Sequence, residues 1–271
     1  MELQIHATAA EPKMHESGPD LPRPYDFELD PYGLDRFTQV AARFSPRRFG
    51  YVVTPNVDHL IRLHDSEHFR SLYRAAAYVL LDSRLLAKLL RLFRRQDIPV
   101  CTGSDLTRVL FERVIRPDDR IVLIGASTQQ ANTLRQRYGL GALAHHNPPM
   151  GFIRDAQEVE RCLDFVEARS PFRFCLLAVG SPQQEVLAHE LQQRGKARGL
   201  ALCVGASIDF LTGGERRAPE WMQHAGLEWL YRMTQNPQRL AQRYLRAAPR
   251  LLGLLLRGRF MLRGNEALPG A

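Results

Sequence analysis

The sequence predicts an α/β fold: a mostly parallel, Rossmann-like sheet with helices on both faces, plus a basic helical appendage at the C-terminus. Three observations lead there. From Phe49 onward, short apolar or β-branched runs alternate with longer stretches of helical period. The runs are apolar at consecutive positions, as in strands covered on both faces. Nearly every run also ends in Gly beside a hydroxyl or amide residue, the chemistry of a strand-to-helix turn.

Residues 1–48 read as a flexible leader and N-terminal extension, since Pro12, Pro22, Pro24 and Pro31 punctuate mixed charge with little periodicity. The α/β core is expected over 49–214. Its strands are predicted at Tyr51–Val53, Tyr78–Leu81, Pro99–Cys101, Arg120–Ile124, Ala142–His145, Phe172–Val179 and Leu200–Val204. Helices are predicted between them at about 57–75, 84–95, 105–115, 128–137, 156–168 and 183–194. Residues 215–271 form the Arg-rich appendage.

Composition sets outer limits. With 271 residues, 45% of them hydrophobic and 24% charged, the chain can build a sizeable core, which excludes disorder throughout. The net charge is +8, and all but three of the 37 basic residues are arginines. Ten of these arginines, against four glutamates, lie between Glu215 and Ala271. Guanidinium groups grip phosphate and carboxylate with paired hydrogen bonds, so nucleic acid, an anionic membrane and a phosphate-bearing substrate are all open on composition alone. Cys101, Cys162, Cys175 and Cys203 stand singly, mostly in apolar runs, as core residues do. The acidic first twenty residues lack the apolar segment of a signal peptide, and no run of 18 apolar residues occurs. A reducing, cytoplasmic location is the expectation.

Ligands of such sheets sit at the carboxyl ends of the strands. Those ends carry Thr54-Pro55-Asn56, Asp82-Ser83, Thr102-Gly103-Ser104-Asp105, Gly125-Ala126-Ser127, Gly180-Ser181-Pro182-Gln183-Gln184-Glu185 and Gly205-Ala206-Ser207. Glycine there lets a phosphate approach backbone N–H groups at a helix start, although the same residues also serve as plain helix caps. No GxGxxG or P-loop pattern occurs. Asp82, at the mouth of an apolar run, is placed either to accept a proton or to cap the helix after it. Pro182 suits a first helical position. Gln184 and Glu185 offer an amide and a carboxylate to sugar hydroxyls or a uracil edge, with a capping role for Glu185 as the alternative.

Six elements in order then carry a resemblance: Thr54-Pro55-Asn56, Gly103-Ser104-Asp105-Leu106, Pro182-Gln183-Gln184-Glu185, Arg217-Ala218-Pro219 with Trp221, Leu227-Glu228-Trp229-Leu230 with Arg232, and Pro237 with Arg239-Leu240 and Arg243-Tyr244. From about Val52 to Tyr244 the chain resembles the WecG/TagA/CpsF family of bacterial glycosyltransferases, glycosyltransferase family 26. The resemblance implies a metal-independent, inverting enzyme with no cofactor. It would move a hexose or N-acetylhexosamine from a UDP-sugar to a polyprenyl-diphosphate-linked sugar acceptor at the inner face of the cytoplasmic membrane, in cell-surface or exopolysaccharide assembly. It makes Asp82 the base, Thr54 and Asn56 the polar pair facing it, and Gln184 an amide near donor or acceptor. Ser83 stands where the family has Gly, which alters the backbone approach there and leaves the donor open between N-acetylmannosamine, glucose and other hexoses.

Without a DxD pair, fixed positive charge must meet the leaving diphosphate; Pro117-Asp118-Asp119-Arg120 reads as an exposed turn. Arg217, Arg232, Arg239 and Arg243 are the candidates, and Gly103, Ser104, Asp105, Gly125, Gly180, Glu185 and Gly205 complete the expected substrate contacts. From Arg239 to Arg263, arginines flank Leu251–Leu256 and the Phe260-Met261-Leu262 cluster, a pattern suited to a helix lying in an anionic membrane interface. A homo-oligomer contact is the alternative for that segment, and its leucine content argues against nucleic acid. A non-catalytic relative that binds nucleotide or lipid diphosphate as an assembly partner is the rival reading of the whole chain.

Overall fold

The computed structural model describes residues 26–214, 217–235 and 249–263. Strand β1 (Asp26–Leu29) and helix α1 (Leu34–Ala42) lead into β2 (Phe49–Val53), α2 (Val57–Asp65), α3 (Glu67–Arg74), β3 (Tyr78–Val79), α4 (Arg84–Arg94) and α5 (Gly103–Arg113). Then come β4 (Ile121–Gly125), α6 (Thr128–Tyr138), β5 (Leu143–His146), α7 (Ala156–Glu167), β6 (Phe174–Ala178), α8 (Gln183–Arg194), β7 (Gly199–Cys203) and α9 (Ser207–Thr212). The appendage supplies α10 (Glu220–Ala225), α11 (Glu228–Gln235), helical residues 249–257 and β8 (Arg259–Leu262). The main sheet is entirely parallel, in the order β3-β2-β7-β6-β4-β5, with helices on both faces.

The consecutive apolar residues of each strand divide between two cores, because successive side chains point to opposite faces. Tyr51, Val53, Val122, Ile124, Cys175, Leu177, Ala201 and Cys203 join the core under α2, α3, α7 and α8. Val52, Ile121, Leu123, Phe174, Leu176, Leu200 and Leu202 join the one under α1, α5, α6 and α9. All four cysteines are buried and free, and burial pushes the thiols of Cys101, Cys175 and Cys203 far up and that of Cys162 to about 11. From β4 the chain moves outward through α6 to β5, whereas from β6 it returns through α8 to β7. The neighbouring strands β4 and β6 therefore part their connections, and a crevice opens beyond their carboxyl ends.

Three local expectations need correction. The helix predicted over 57–75 is two helices, because the Ser66 side chain accepts from the N–H of Phe69 and starts α3 afresh. The strands predicted at 78–81 and 99–101 shrink to the two residues of β3 and a single bridge between Leu81 and Val100. The chain turns at Asp82 into α4, and only one register position is left to pair. Pro182 precedes the first helical residue of α8 instead of occupying it.

Most of the expected leader, residues 1–25, lies outside the described residues, but residues 26–48 and 249–263 are built into the fold. Phe37, Val40 and Ala41 of α1 are buried in the core. β1 pairs in parallel with β8, Phe27 opposite Phe260, and these two rings stack 5.1 Å apart with both residues only 4% exposed. The Phe260-Met261-Leu262 cluster is thus a strand that clasps the N-terminal extension, not part of an interfacial helix. Phe260→Ala is expected to lower the unfolding free energy by about 3 kcal/mol, read as a lower urea midpoint. No helix among the described residues is long and apolar enough to cross a membrane.

Candidate active site

The carboxyl ends of β2, β3 and β7 converge on the start of α5. Gly103 is the meeting point. A Cβ placed there would lie 3.0 Å from Thr54 Oγ1, 3.6 Å from Asp82 Oδ2 and 3.7 Å from Ser207 Oγ. A side chain here would press on Thr54, so glycine is what lets two hydroxyls and a carboxylate converge on this space. The backbone of Asp82 is fixed by its N–H, which donates to Pro55 O at 2.9 Å. The cap of α4 falls to Ser83, not Asp82: Ser83 Oγ accepts from the N–H of Leu86, and its backbone is extended (φ −159°). That conformation is open to any residue, so serine needs no glycine geometry and adds a cap. Gly103→Ala is expected to displace Thr54 and crowd Asp82, lowering turnover about ten-fold or more with little change in melting temperature.

Asp105 organises the wall of this space. Its carboxylate, on a residue 5% exposed, accepts from Thr102 Oγ1 at 2.8 Å, Arg84 Nη2 at 2.5 Å and Arg217 Nη1 at 2.8 Å. Burial opposes its ionisation, but the hydrogen bond and charge of Arg217, then Thr102 and Arg84, outweigh this and hold the carboxyl below its ordinary value. Arg217 Nη2 also donates to Ser104 Oγ at 3.2 Å. Arg84 Nη1 and Arg217 Nε each keep an enclosed N–H without a hydrogen-bond partner among the described residues. The appendage closes over this point: Gly226, after α10, packs against Arg84 and Leu85, where a Cβ would come within 3.3 Å of backbone.

At the neighbouring crevice, Gly125 has φ +87°, and a Cβ on it would come 2.7 Å from Ala178 O, so only glycine lets β4 end this close to β6. Ala126 follows with φ +61°, costly for a residue with a side chain and concentrated at functional sites. Ser127 and Gln130 close a capping box on α6, and Gln130 reaches Asp209 Oδ1 at 2.6 Å. Gly180 (φ +78°) faces open space at the end of β6.

The structure draws two expected contacts inward and engages a third in a helix cap. Gln184 and Glu185 are buried, not presented to a ligand. Gln184 Oε1 accepts from the N–H of Gly205 at 2.9 Å, and its Nε2 donates to Glu185 Oε1 at 3.1 Å. Glu185 also receives Tyr73 Oη at 3.4 Å, and no capping side chain precedes α8, so Glu185 makes no capping box. These two residues tie the start of α8 to α3 and to the turn after β7. Asn56 Oδ1 caps α2 by accepting from the N–H groups of Asp58 and His59, which leaves only its Nδ2 outside the cap. Arg239 and Arg243 lie outside the described residues, and of Arg232 only the backbone, in α11, is described. Asp118 and Asp119 precede β4, at the amino end of the sheet and away from the site.

Sequence reasoning missed Arg84 and Arg62, and named Ser207 only as part of a strand end. Arg84 had a signal: a cation at the first position of α4 opposes the helix dipole and needs a reason to be there. Arg62 of α2 donates to Ser181 Oγ, in the turn after β6, at 3.3 Å, which no local pattern announces. Among known protein families, residues 25–265 match the one described as the Glycosyl transferase WecG/TagA/CpsF family.

Proposed function

Because the chain belongs to the WecG/TagA/CpsF glycosyltransferase family and is a sugar-transferring enzyme, we propose that it moves a hexose or N-acetylhexosamine, or its uronate, from a UDP-sugar to a polyprenyl-diphosphate-linked sugar. The observation that carries this reading is the convergence of the Asp82 carboxylate with the Thr54 and Ser207 hydroxyls on Gly103. A carboxylate beside two hydroxyls is the set of groups needed to orient an acceptor hydroxyl and take its proton. In the proposed step Asp82 removes that proton while the hydroxyl oxygen bonds to the anomeric carbon and the bond from that carbon to the UDP oxygen breaks. Thr54 and Ser207 orient the hydroxyl.

The departing diphosphate gains charge as the bond breaks, and preorganised cations and N–H groups are the means to stabilise it. Arg217, held by Asp105 with Arg84 beside it, is the described cation in place for this, and Arg232, Arg239 and Arg243 are proposed to join it. The glycine turns at Gly125, Gly180 and Gly205 offer backbone N–H groups to the nucleotide, with Gln184 and Glu185 setting their positions from below. The lipid carrier puts the reaction at the inner face of the cytoplasmic membrane, in assembly of a cell-surface or exported polysaccharide.

The test is a UDP-release assay over UDP-glucose, UDP-galactose, UDP-N-acetylglucosamine, UDP-N-acetylmannosamine and its uronate, with a polyprenyl-diphosphate sugar. One donor is expected to release UDP, and only when the acceptor is present. Release from none, with a correctly folded protein, would count against the reading.

A further inference from the structure

We propose that one face of α2 forms a subsite for the hydroxyls of a hexose, with Arg62, Asp58 and His59 as its side chains. The inference deepens the reading of the chain as a transferase acting on a UDP-sugar and a lipid-linked sugar, and rests on it. His59 and Arg62 stand three residues apart in α2 and so share a face. Both lie against one ring: the imidazole centroid is 6.2 Å from that of Phe69, and the Arg62 guanidinium carbon is 5.7 Å from it. Tyr73 adds an edge contact to His59 at 6.5 Å. Two aromatic residues of α3 thus hold the pair from behind.

The subsite borders the transfer site. α2 begins directly after Thr54-Pro55-Asn56, and Arg62 Nη1 donates to Ser181 Oγ in the turn after β6. β7 lies between β2 and β6 in the sheet, so the two strand ends joined in this way are about 10 Å apart. The turns after β2 and β7, which carry Thr54 and Ser207, are on one side of that span, and Gly180, which faces open space, is on the other. The Arg62 and Asp58 side chains are 39% and 29% exposed, within reach of a ligand.

Charge selects the ligand. Asp58 Oδ2 accepts from Arg62 Nη2 at 2.8 Å, which cancels the two charges and fixes the guanidinium in one orientation. Burial holds the His59 ring below its ordinary value, against the pull of the nearby Glu185 charge, so the ring is neutral at pH 7. Its Nδ1 is enclosed and has no hydrogen-bond partner among the described residues. The set is electroneutral, with donors and acceptors side by side. Sugar hydroxyls both donate and accept, and match it. A diphosphate would meet the Asp58 carboxylate with like charge. Ser181 Oγ, itself a hydroxyl on Arg62 Nη1, is the kind of group that a sugar would put in its place.

Two hexoses meet in such a reaction, the one transferred and the one accepting it, and the experiment separates them. It is titration calorimetry of the full-length protein with UDP, with each UDP-sugar of the release panel, and with a short-chain polyprenyl-diphosphate sugar. Arg62→Met should leave UDP affinity within two-fold and weaken one sugar ligand about ten-fold or more. That ligand is the UDP-sugar if the subsite holds the transferred hexose, and the acceptor if it holds the accepting one. His59→Phe, which keeps a ring against Phe69, should weaken the same ligand. Ser181→Ala should leave every affinity within about three-fold, whereas a merely structural tie between α2 and the turn would make it match Arg62→Met and overturn the proposal. Equal weakening of UDP and UDP-sugar would make Arg62 a phosphate contact and overturn it too, as would unchanged affinities in both the Arg62 and His59 variants. Sugar binding by the wild type with no transfer would instead strike at the proposed reaction and leave the subsite standing.

Discussion

Asp82→Asn is expected to lower turnover by at least about a hundred-fold while leaving UDP affinity within a few-fold of wild type. A positioned base contributes on the order of 10²–10⁴ to a rate, and an amide of the same size cannot accept the proton. The fold should tolerate the change, because Asp82 is half-buried and its backbone N–H, not its carboxylate, makes the bond to Pro55 that sets the turn. The loss should fall on kcat with KM for the donor little changed, the mark of an interaction made only in the transition state. Steady-state kinetics with the donor identified by UDP release make the comparison. Wild-type turnover in the variant would remove Asp82 from the role of base.

Asp105→Asn should act by another route and on stability as well. The substitution removes the charge that two guanidinium groups share, in a wall where Asp105 is nearly enclosed and Arg217 and Arg84 are about a fifth and a quarter exposed. Removing one partner from a buried ionic cluster costs about 3–5 kcal/mol; the partial exposure of both arginines puts the expected loss near the lower figure. The carboxyl is held below its ordinary value of 3.8 in the folded protein. Its contribution is therefore fully present above about pH 4 and is lost as pH falls through the lower folded value. Urea unfolding at pH 7 should show the variant destabilised, and below pH 4 the gap between variant and wild type should narrow. Donor KM should rise too, as Arg217 loses its anchor. A variant as stable as wild type at pH 7 would contradict this account of Asp105.

Much of the core was legible because strands buried on both faces leave an unmistakable mark. The runs around Val122 and Leu176 could only be interior, and their flanking helices followed to within a residue or two. The strand ends were legible for the same reason, since Gly103 and Gly125 sit where a turn must be tight. Burial of Gln184 and Glu185 was not legible. A polar pair at a helix start looks alike whether it faces solvent or an inward network, and the partners that decide, Tyr73 and the N–H of Gly205, are remote in sequence. The clasp between β1 and β8 was hidden likewise, because four-residue strands joining the two ends of a chain have no local signature. Arg84 was passed over for a third reason: its signal, a cation at a helix start, lay inside an arginine-rich helix, and its pairing with Asp105 is what makes it stand out.

The proposed reaction is a single displacement in which Asp82 deprotonates the acceptor as the sugar leaves UDP. The anomeric configuration of the glycolipid product, determined by proton coupling after extraction, tests it most directly. A product inverted relative to the donor, made by wild type and absent with Asp82→Asn, is the predicted result. Retained configuration would exclude a single in-line displacement and would contradict the claim.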